Sequence, residues 1–224
     1  MILQSVTLKE PYRSFPKGFT VDFKNRVTVV VGDNGAGKST LLGLIRSQFK
    51  STWTPSSLTN AAESAAVVHP EPASGEQINA IDLAADHMGF RGDMDEANFD
   101  VHLKVLQKSA GQASIIQLSD IMQRSKARLH IIDEPERGLS PAKEWVLAAL
   151  LKEIVSERPD DQFIVSTHSD KVMEALGGCV LQLPNGVYLN YKDYLDASHN
   201  YGQLQADRYV QARKAEREQN TYGL

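Results

Sequence analysis

Residues 27–40 read VTVVVGDNGAGKST, and this stretch decides the fold of the chain. The run VTVVV is typical of a parallel strand that is covered on both faces. The residues GDNGAGKS that follow match the pattern G-x4-G-K-[ST], and apolar residues then recur at helical spacing from Leu41 to Phe49. A strand, a glycine-rich loop and a helix therefore follow one another, which is the setting that a phosphate-binding loop requires.

This loop is suited to bind the phosphates of a nucleotide. The alternative is a plain glycine-rich turn, but the motif seldom occurs by chance between a strand and a helix. Glycines let the backbone N–H groups point at phosphate oxygens, and the helix N-terminus adds positive potential. We expect Lys38 to reach the β- and γ-phosphates and Ser39 to ligate Mg²⁺. The predicted nucleotide-binding residues of the loop are Asp33, Asn34, Gly35, Ala36, Gly37, Lys38, Ser39 and Thr40.

Two carboxylates follow a second apolar strand, because LHII at 129–132 leads directly into Asp133 and Glu134. Ligands of open α/β sheets bind at the carboxyl ends of strands. We expect Asp133 to hold Mg²⁺ opposite Ser39, and Glu134 to polarise an attacking water as a general base. Such a pair taken alone is more often a helix N-cap, but the phosphate-binding loop upstream favours the catalytic interpretation.

A histidine follows a third apolar strand, where FIVS at 163–166 continues into Thr167 and His168. A histidine at this place can hydrogen-bond a γ-phosphate and respond to its presence, although most histidines at strand ends have no such role. The predicted catalytic residues are Glu134, His168 and Lys38.

Patterns before and between these sites predict two additions to the core. Alternating residues at 2–8 and 19–23 predict an N-terminal antiparallel layer. The Ser-, Thr-, Ala- and Pro-rich residues 51–75 are interpreted as a loop, and weak helical patterns at 78–107 precede an amphipathic helix at 112–124. We therefore predict a small helical region within about residues 50–125.

The last third of the chain predicts a helix at 141–155 and a hairpin around PNG at 184–186. The main domain is expected to span residues 1–197. A polar tail at 198–224 follows, with an exposed helix expected at 204–219.

Composition describes an ordinary globular chain of 224 residues, 42% apolar and 23% charged, with a net charge of −4. Its apolar runs fall far short of the roughly 20 residues of a membrane helix, and MILQSVTLKE does not resemble a signal peptide. A single cysteine, Cys179, agrees with a reducing compartment. We expect a cytoplasmic protein with no membrane partner and little intrinsic affinity for nucleic acid.

The segments GDNGAGKST, LHIIDEPE, GLSP and FIVSTHS, in this order, resemble the motifs of ATP-binding cassette (ABC) ATPases over about residues 27–170. That family carries a serine-glycine signature before the aspartate strand, and KSAGQ at 108–112 stands there, differing from LSGGQ at its first and third positions. The resemblance implies that Ser109 and Gly111, with Gln112 beside them, bind the γ-phosphate held by the other subunit of a head-to-tail dimer.

Other segments refine this resemblance. The closer match ASGEQ at 73–77 lies too far before the aspartate strand and is interpreted as coincidental. The loop at 138–140, GLS, resembles the segment that crosses the dimer interface, with serine in place of the usual aspartate. By analogy with an early aromatic residue of the family, Tyr12 or Phe15 is a candidate to stack on adenine.

The resemblance implies an α/β P-loop NTPase fold with an ABC-ATPase core, the cofactors ATP and Mg²⁺, and a homodimer that forms on ATP binding. Only 71 residues separate Lys38 from Ser109, fewer than in transporter subunits, and no glutamine in that interval, Gln77 included, matches their membrane-contacting glutamine well. The chain is more similar to small soluble bacterial and phage ATPases related to the SMC and DNA-repair branch. We therefore expect a motor or switch for a nuclease, a nucleic acid or a defence partner.

Two other functions stay open at this point. One is the nucleotide-binding subunit of a membrane ABC transporter, against which the short middle region argues. The other is an ATP-gated scaffold that does not hydrolyse ATP, against which the intact Glu134 argues.

Overall fold

The structure, a computed structural model, describes residues 2–49, 64–73, 78–82 and 110–221. The strands in these ranges are β1 (Ser5–Leu8), β2 (Thr20–Asp22), β3 (Val27–Val31), β4 (Ala66–His69), β5 (Ile78–Asp82), β6 (Leu129–Asp133), β7 (Gln162–Ser166), β8 (Cys179–Gln182) and β9 (Val187–Asn190). The helices in these ranges are α1 (Lys38–Gln48), α2 (Ala110–Arg124), α3 (Pro141–Glu157), α4 (Asp170–Leu176) and α5 (Tyr191–Thr221).

The main sheet has the order β5-β6-β7-β3-β8-β9, and its strands are parallel except for β9, which pairs antiparallel to β8. Its central strands β3, β6 and β7 are buried nearly throughout because helices cover both faces, as their continuous apolar sequences predict. The three strands are neighbours and run in the same direction. Residues that follow them therefore meet at one edge of the sheet.

A second, antiparallel sheet of order β2-β1-β4 confirms the predicted N-terminal layer. Val6 of β1 pairs with Val21 on one side and Val68 on the other, and all three side chains are buried in a core shared with α1. The third strand, β4, lies where the sequence predicted a loop, so that prediction is wrong for residues 66–69. The strand is only four residues long, and its pairing with the distant β1 sustains it rather than any local pattern.

The N-terminus is fixed to the main sheet by one side chain. Gln162, buried at the start of β7, accepts the backbone N–H groups of Ile2 and Leu3 through Oε1, at 2.9 and 2.7 Å. Its Nε2 donates to the carbonyl oxygen of Leu3 at 2.8 Å. The two sheets are thereby joined through a buried amide with three hydrogen bonds.

In the middle of the chain, β5 forms an edge strand parallel to β6 where weak helical patterns were predicted, which corrects that interpretation for residues 78–82. Helix α2 confirms the amphipathic helix, and Leu118 and Met122 pack it against the core that α3 also joins. The rest of the predicted helical region falls at 50–63, 74–77 and 83–109, outside the described residues, so it stays a prediction.

A buried polar cluster lies at the amino edge of the main sheet, opposite the ends that carry the motifs. His130 of β6 is fully buried, stacks on Phe163 with ring centroids 4.8 Å apart, and lies 3.0 Å from Asp161 through Nε2 and Oδ2. Arg158 donates to the same carboxylate oxygen at 3.0 Å and also bonds the carbonyl oxygen of Met122 in α2. This cluster links α2 to the end of α3.

In the C-terminal third, the hairpin and the helix after Ser140 lie where the sequence predicted them, whereas the last helix is longer than the one expected at 204–219 and runs through the expected domain end at 197. The hairpin β8-β9 turns at 183–186, and α3 begins at Pro141 with Ser140 at its N-cap. Helix α5 begins at Tyr191, before the expected tail, and its first turns pack on the core through Tyr194 and Leu195. From residue 196 to residue 213 every side chain of α5 is exposed. None of the helices in the described ranges combines the length and apolar character needed to cross a membrane.

Candidate active site

The glycine-rich loop connects β3 to α1 in a conformation that two of its glycines make possible. Gly37 is the N-cap of α1 with a φ of 101°, and a Cβ there would lie 2.5 Å from Cζ of Phe15. Gly32 has a φ of 145°, and its Cβ would lie 2.7 Å from the carbonyl oxygen of Leu183. Side chains at these positions would be both strained and in collision, so the loop requires glycine there.

The connection between β1 and β2 packs against this glycine-rich loop. Phe15 is 1% exposed, stacks on Phe19 with ring centroids 4.6 Å apart, and touches Gly37. It is therefore not available to stack on adenine, which corrects that half of the expectation. Tyr12 is half-buried, and the guanidinium of Arg13 lies 5.7 Å from the centre of its ring.

Lys38, Glu134 and His168 come together at the carboxyl edge of the main sheet. Lys38 is 5% exposed, and its Nζ donates to the carbonyl oxygen of Gly32 at 3.1 Å. The same Nζ lies 2.7 Å from Nε2 of His168 and 3.5 Å from Oε1 of Glu134. His168 and Glu134 are 3.4 Å apart through these atoms. Since an ammonium group can only donate, Nε2 of His168 is the acceptor of its hydrogen bond with Lys38.

The acid pair turns sharply after β6, so that its two side chains contact different residues. Asp133 accepts a hydrogen bond from the hydroxyl of Ser166 through Oδ1. Glu134 has a φ of 43°, a left-handed conformation that costs a non-glycine residue about 1–2 kcal/mol. Its backbone N–H donates to the carbonyl oxygen of Ser166 at 3.1 Å, which holds that turn, and its carboxylate faces Lys38.

Two further carboxylates hold the loop that carries His168. Glu136 accepts the backbone N–H of His168 through Oε1 at 2.5 Å, and Glu144 of α3 accepts the hydroxyl of Ser169 at 2.7 Å. Burial raises the pKa of Glu136, with the nearby Glu134 acting in the same direction and hydrogen bonds opposing it. Sequence reasoning missed both residues, although the repeated acid in DEPE was a visible signal for Glu136.

The other predicted residues are distributed as follows. Asp33, Asn34 and Gly35 are exposed at the tip of the loop, Ala36, Gly37 and Thr40 are half-buried, and Ser39 is exposed in the first turn of α1. Gly111 and Gln112 lie in the first turn of α2, whereas Ser109 lies outside the described residues. The structure thus brings together the loop, the acid pair and the histidine within one chain.

Comparisons with known proteins match this chain to two family models and to several solved structures. Residues 1–81 match the family described as "AAA ATPase domain", and residues 71–174 match "AAA domain, putative AbiEii toxin, Type IV TA system". The structure is similar to that of cbiO1 from Clostridium perfringens, part of the ABC transporter complex cbiONQ. The TM-score is 0.56 at 19% identity, covering 92% of this chain and 96% of that chain.

A second similar structure is MJ1267 in its ADP conformation, an ATP-binding cassette of an ABC transporter, with a TM-score of 0.54 at 15% identity. That match covers 84% of this chain and 89% of the other. At such sequence identities the similarity to these structures concerns the fold alone. A search of curated proteins finds no match. The two family models, each over less than half of the chain, describe AAA ATPase domains and support ATP hydrolysis, and the solved structures show that the chain has the fold of ATP-binding cassettes.

Proposed function

We propose that Lys38, Glu134 and His168 carry out Mg²⁺-dependent ATP hydrolysis. The observation that carries this proposal is their convergence, with every pair of functional atoms within 3.5 Å, at the carboxyl edge of a parallel sheet. Lys38 would bind the β- and γ-phosphates, Glu134 would orient the attacking water, and His168 would contact the γ-phosphate. ATP competes with Glu134 for the ammonium of Lys38, so nucleotide binding would free that carboxylate to act on water.

The residues present fit a magnesium ion. Mg²⁺ prefers oxygen ligands and in nucleotide sites commonly uses one or two protein groups together with phosphate oxygens. Asp133 and the exposed hydroxyl of Ser39 would supply those groups, and the hydrogen bond from Ser166 orients the carboxylate of Asp133. The bound ion would neutralise charge that develops on the phosphates.

A second copy of the chain would complete each site. In this proposal Ser109, Gly111 and Gln112 of one copy contact the γ-phosphate held by the other. The exposure of Asp33, Asn34 and Gly35 at the tip of the phosphate-binding loop supports this arrangement, because that rim is free to face another surface. ATP would then favour the dimer, since contacts made only in the closed state shift the equilibrium toward it.

The dimer would act as a motor or switch for a nuclease, nucleic-acid or defence partner. The description of the second family model names the matched domain itself as a toxin of a type IV toxin–antitoxin system, which supports a role in defence. The exposed helix α5, with Tyr201, Leu204 and Tyr209 on its surface, offers such a partner a contact area. Nucleic acid would be engaged through that partner. Both structures named above belong to transporters, which keeps a transporter subunit as the second candidate.

The test is the variant Glu134→Gln, which keeps the size of the side chain but removes the base. Hydrolysis should fall by roughly 10²-fold or more while ATP still binds. Saturating ATP with Mg²⁺ should hold this variant as a dimer in size exclusion with light scattering, and ADP should not. The matched control, Glu157→Gln at the exposed end of α3, should hydrolyse ATP like the wild type.

The added change Ser109→Arg should disrupt the trapped dimer without weakening ATP binding to the monomer. If Glu134→Gln stays monomeric under saturating ATP at concentrations well above micromolar, the dimer mechanism is wrong, and the partner must act on a single ATPase subunit.

A further inference from the structure

The loop that carries His168 is held by hydrogen bonds of its backbone and of the Thr167 and Ser169 hydroxyls, while the imidazole is partly open to solvent. The side chain of His168 is 40% exposed. The backbone N–H of Thr167 donates to the carbonyl oxygen of Val30 at 3.1 Å, and that of Ser169 donates to the hydroxyl of Thr167 at 2.9 Å. The N–H of His168 has a different kind of acceptor, a carboxylate oxygen of Glu136.

Glu136 occupies a position that is costly for a carboxylate. Its Oε2 is buried and without a hydrogen-bond partner within the described residues, and its neighbour Glu134 carries the same charge. Removing such a group from water is unfavourable unless a strong hydrogen bond compensates. The bond from His168 N–H to Oε1 is short, at 2.5 Å, and the hydroxyl of Thr167 also hydrogen-bonds this side chain.

The hydrogen bond between Glu136 and His168 affects where the imidazole of His168 lies. Fixing the backbone of His168 fixes the point from which its side chain extends, and Nε2 then lies 2.7 Å from Nζ of Lys38 and 3.4 Å from Oε1 of Glu134. Groups that act on a transferring phosphoryl group depend on such placement, because a shift of about 1 Å can cost 10²-fold in rate.

We propose that Glu136 is a positioning residue for ATP hydrolysis, which sets the place of the His168 imidazole by accepting the backbone N–H of that residue. The inference rests on the proposed role of His168 at the γ-phosphate. It assigns to the second glutamate of DEPE a function that is distinct from binding metal, water or nucleotide.

The test compares Glu136→Gln with Glu136→Met in steady-state ATP hydrolysis. Both changes remove the charge and keep a similar volume, but only glutamine retains an oxygen that can accept the N–H of His168. We expect kcat to stay within about threefold of the wild type for Glu136→Gln and to fall about 10- to 100-fold for Glu136→Met, with KM little changed. Glu174→Ala, an exposed glutamate on α4, is the control and should match the wild type.

A double-mutant cycle shows whether Glu136 acts through the histidine. His168→Ala should lower kcat, and adding Glu136→Met to it should lower kcat no further, because there is no imidazole left to position. Equal rates for the glutamine and methionine variants, or losses that multiply in the double variant, would overturn the positioning role. An unchanged kcat for His168→Ala would instead refute the proposed role of the histidine itself, so the two failures are distinguishable.

Discussion

Gly37→Ala is the substitution whose effect the structure predicts most fully. The new Cβ would lie 2.5 Å from Cζ and 2.9 Å from Cε2 of Phe15, and the backbone would keep a φ of 101°. A left-handed conformation costs a residue with a Cβ about 1–2 kcal/mol. Overpacking against a buried aromatic ring costs about 1–3 kcal/mol more. The sum is about 2–5 kcal/mol, a large part of the stability of a typical domain.

Gly43→Ala is the matched control in the same helix. A Cβ at Gly43 would have nothing within 4 Å, and the residue lies inside α1. Alanine should therefore stabilise the helix by up to about 1 kcal/mol. For a chain of this size, about 2–4 °C of melting temperature corresponds to 1 kcal/mol, so Gly37→Ala should melt roughly 4–20 °C lower and Gly43→Ala slightly higher than the wild type.

Thermal unfolding followed by circular dichroism measures both effects, and titration with a fluorescent ATP analogue measures binding. We expect Gly37→Ala to bind ATP poorly, because relieving the collision displaces the loop. The added change Phe15→Leu should recover part of the lost stability, because leucine lacks the ring atoms Cζ and Cε2 with which the new methyl group would collide. If Gly37→Ala has the melting temperature and the ATP affinity of the wild type, Phe15 does not pack against the loop as described.

Two further predictions concern charged groups. Lys38→Ala should abolish measurable ATP binding in equilibrium titration. The control Lys152→Ala, on the exposed face of α3, should bind ATP normally. Wild-type affinity for ATP in Lys38→Ala would refute the assignment of the phosphate-binding loop. Burial lowers the pKa of His130 below its usual 6.5. Burial by itself would raise the pKa of Asp161, but hydrogen bonds and charge interactions with His130 and Arg158 together outweigh it and lower that pKa. Protonation of either group therefore favours the unfolded chain. The unfolding free energy from urea titrations should therefore fall as the pH drops below about 6.5, less steeply in His130→Gln than in the control His199→Gln on exposed α5; equal slopes would contradict this origin.

The catalytic edge was predictable because its signals are local. A buried strand followed by GDNGAGKS places Lys38 without reference to the rest of the chain, and parallel strand ends explain why Glu134 and His168 meet it. The strand β4 was missed because AVVH, although it contains two valines, is only four residues long within a Ser-, Thr-, Ala- and Pro-rich stretch, and its pairing with β1 lies far away in the sequence. Glu136 was missed for a similar reason, since its acceptor role depends on a backbone N–H that lies 32 residues further along the chain.

The side-chain amide of Gln162 bears on whether parts of the chain can be expressed separately. Its three hydrogen bonds join Ile2 and Leu3 to the start of a central strand about 160 positions later. A fragment that ends near residue 81, where one family model stops and the other has begun, would lose this partner and leave Leu3 without its buried environment. The two regions that the family models match therefore depend on each other for buried contacts, and neither is a sound choice for separate expression.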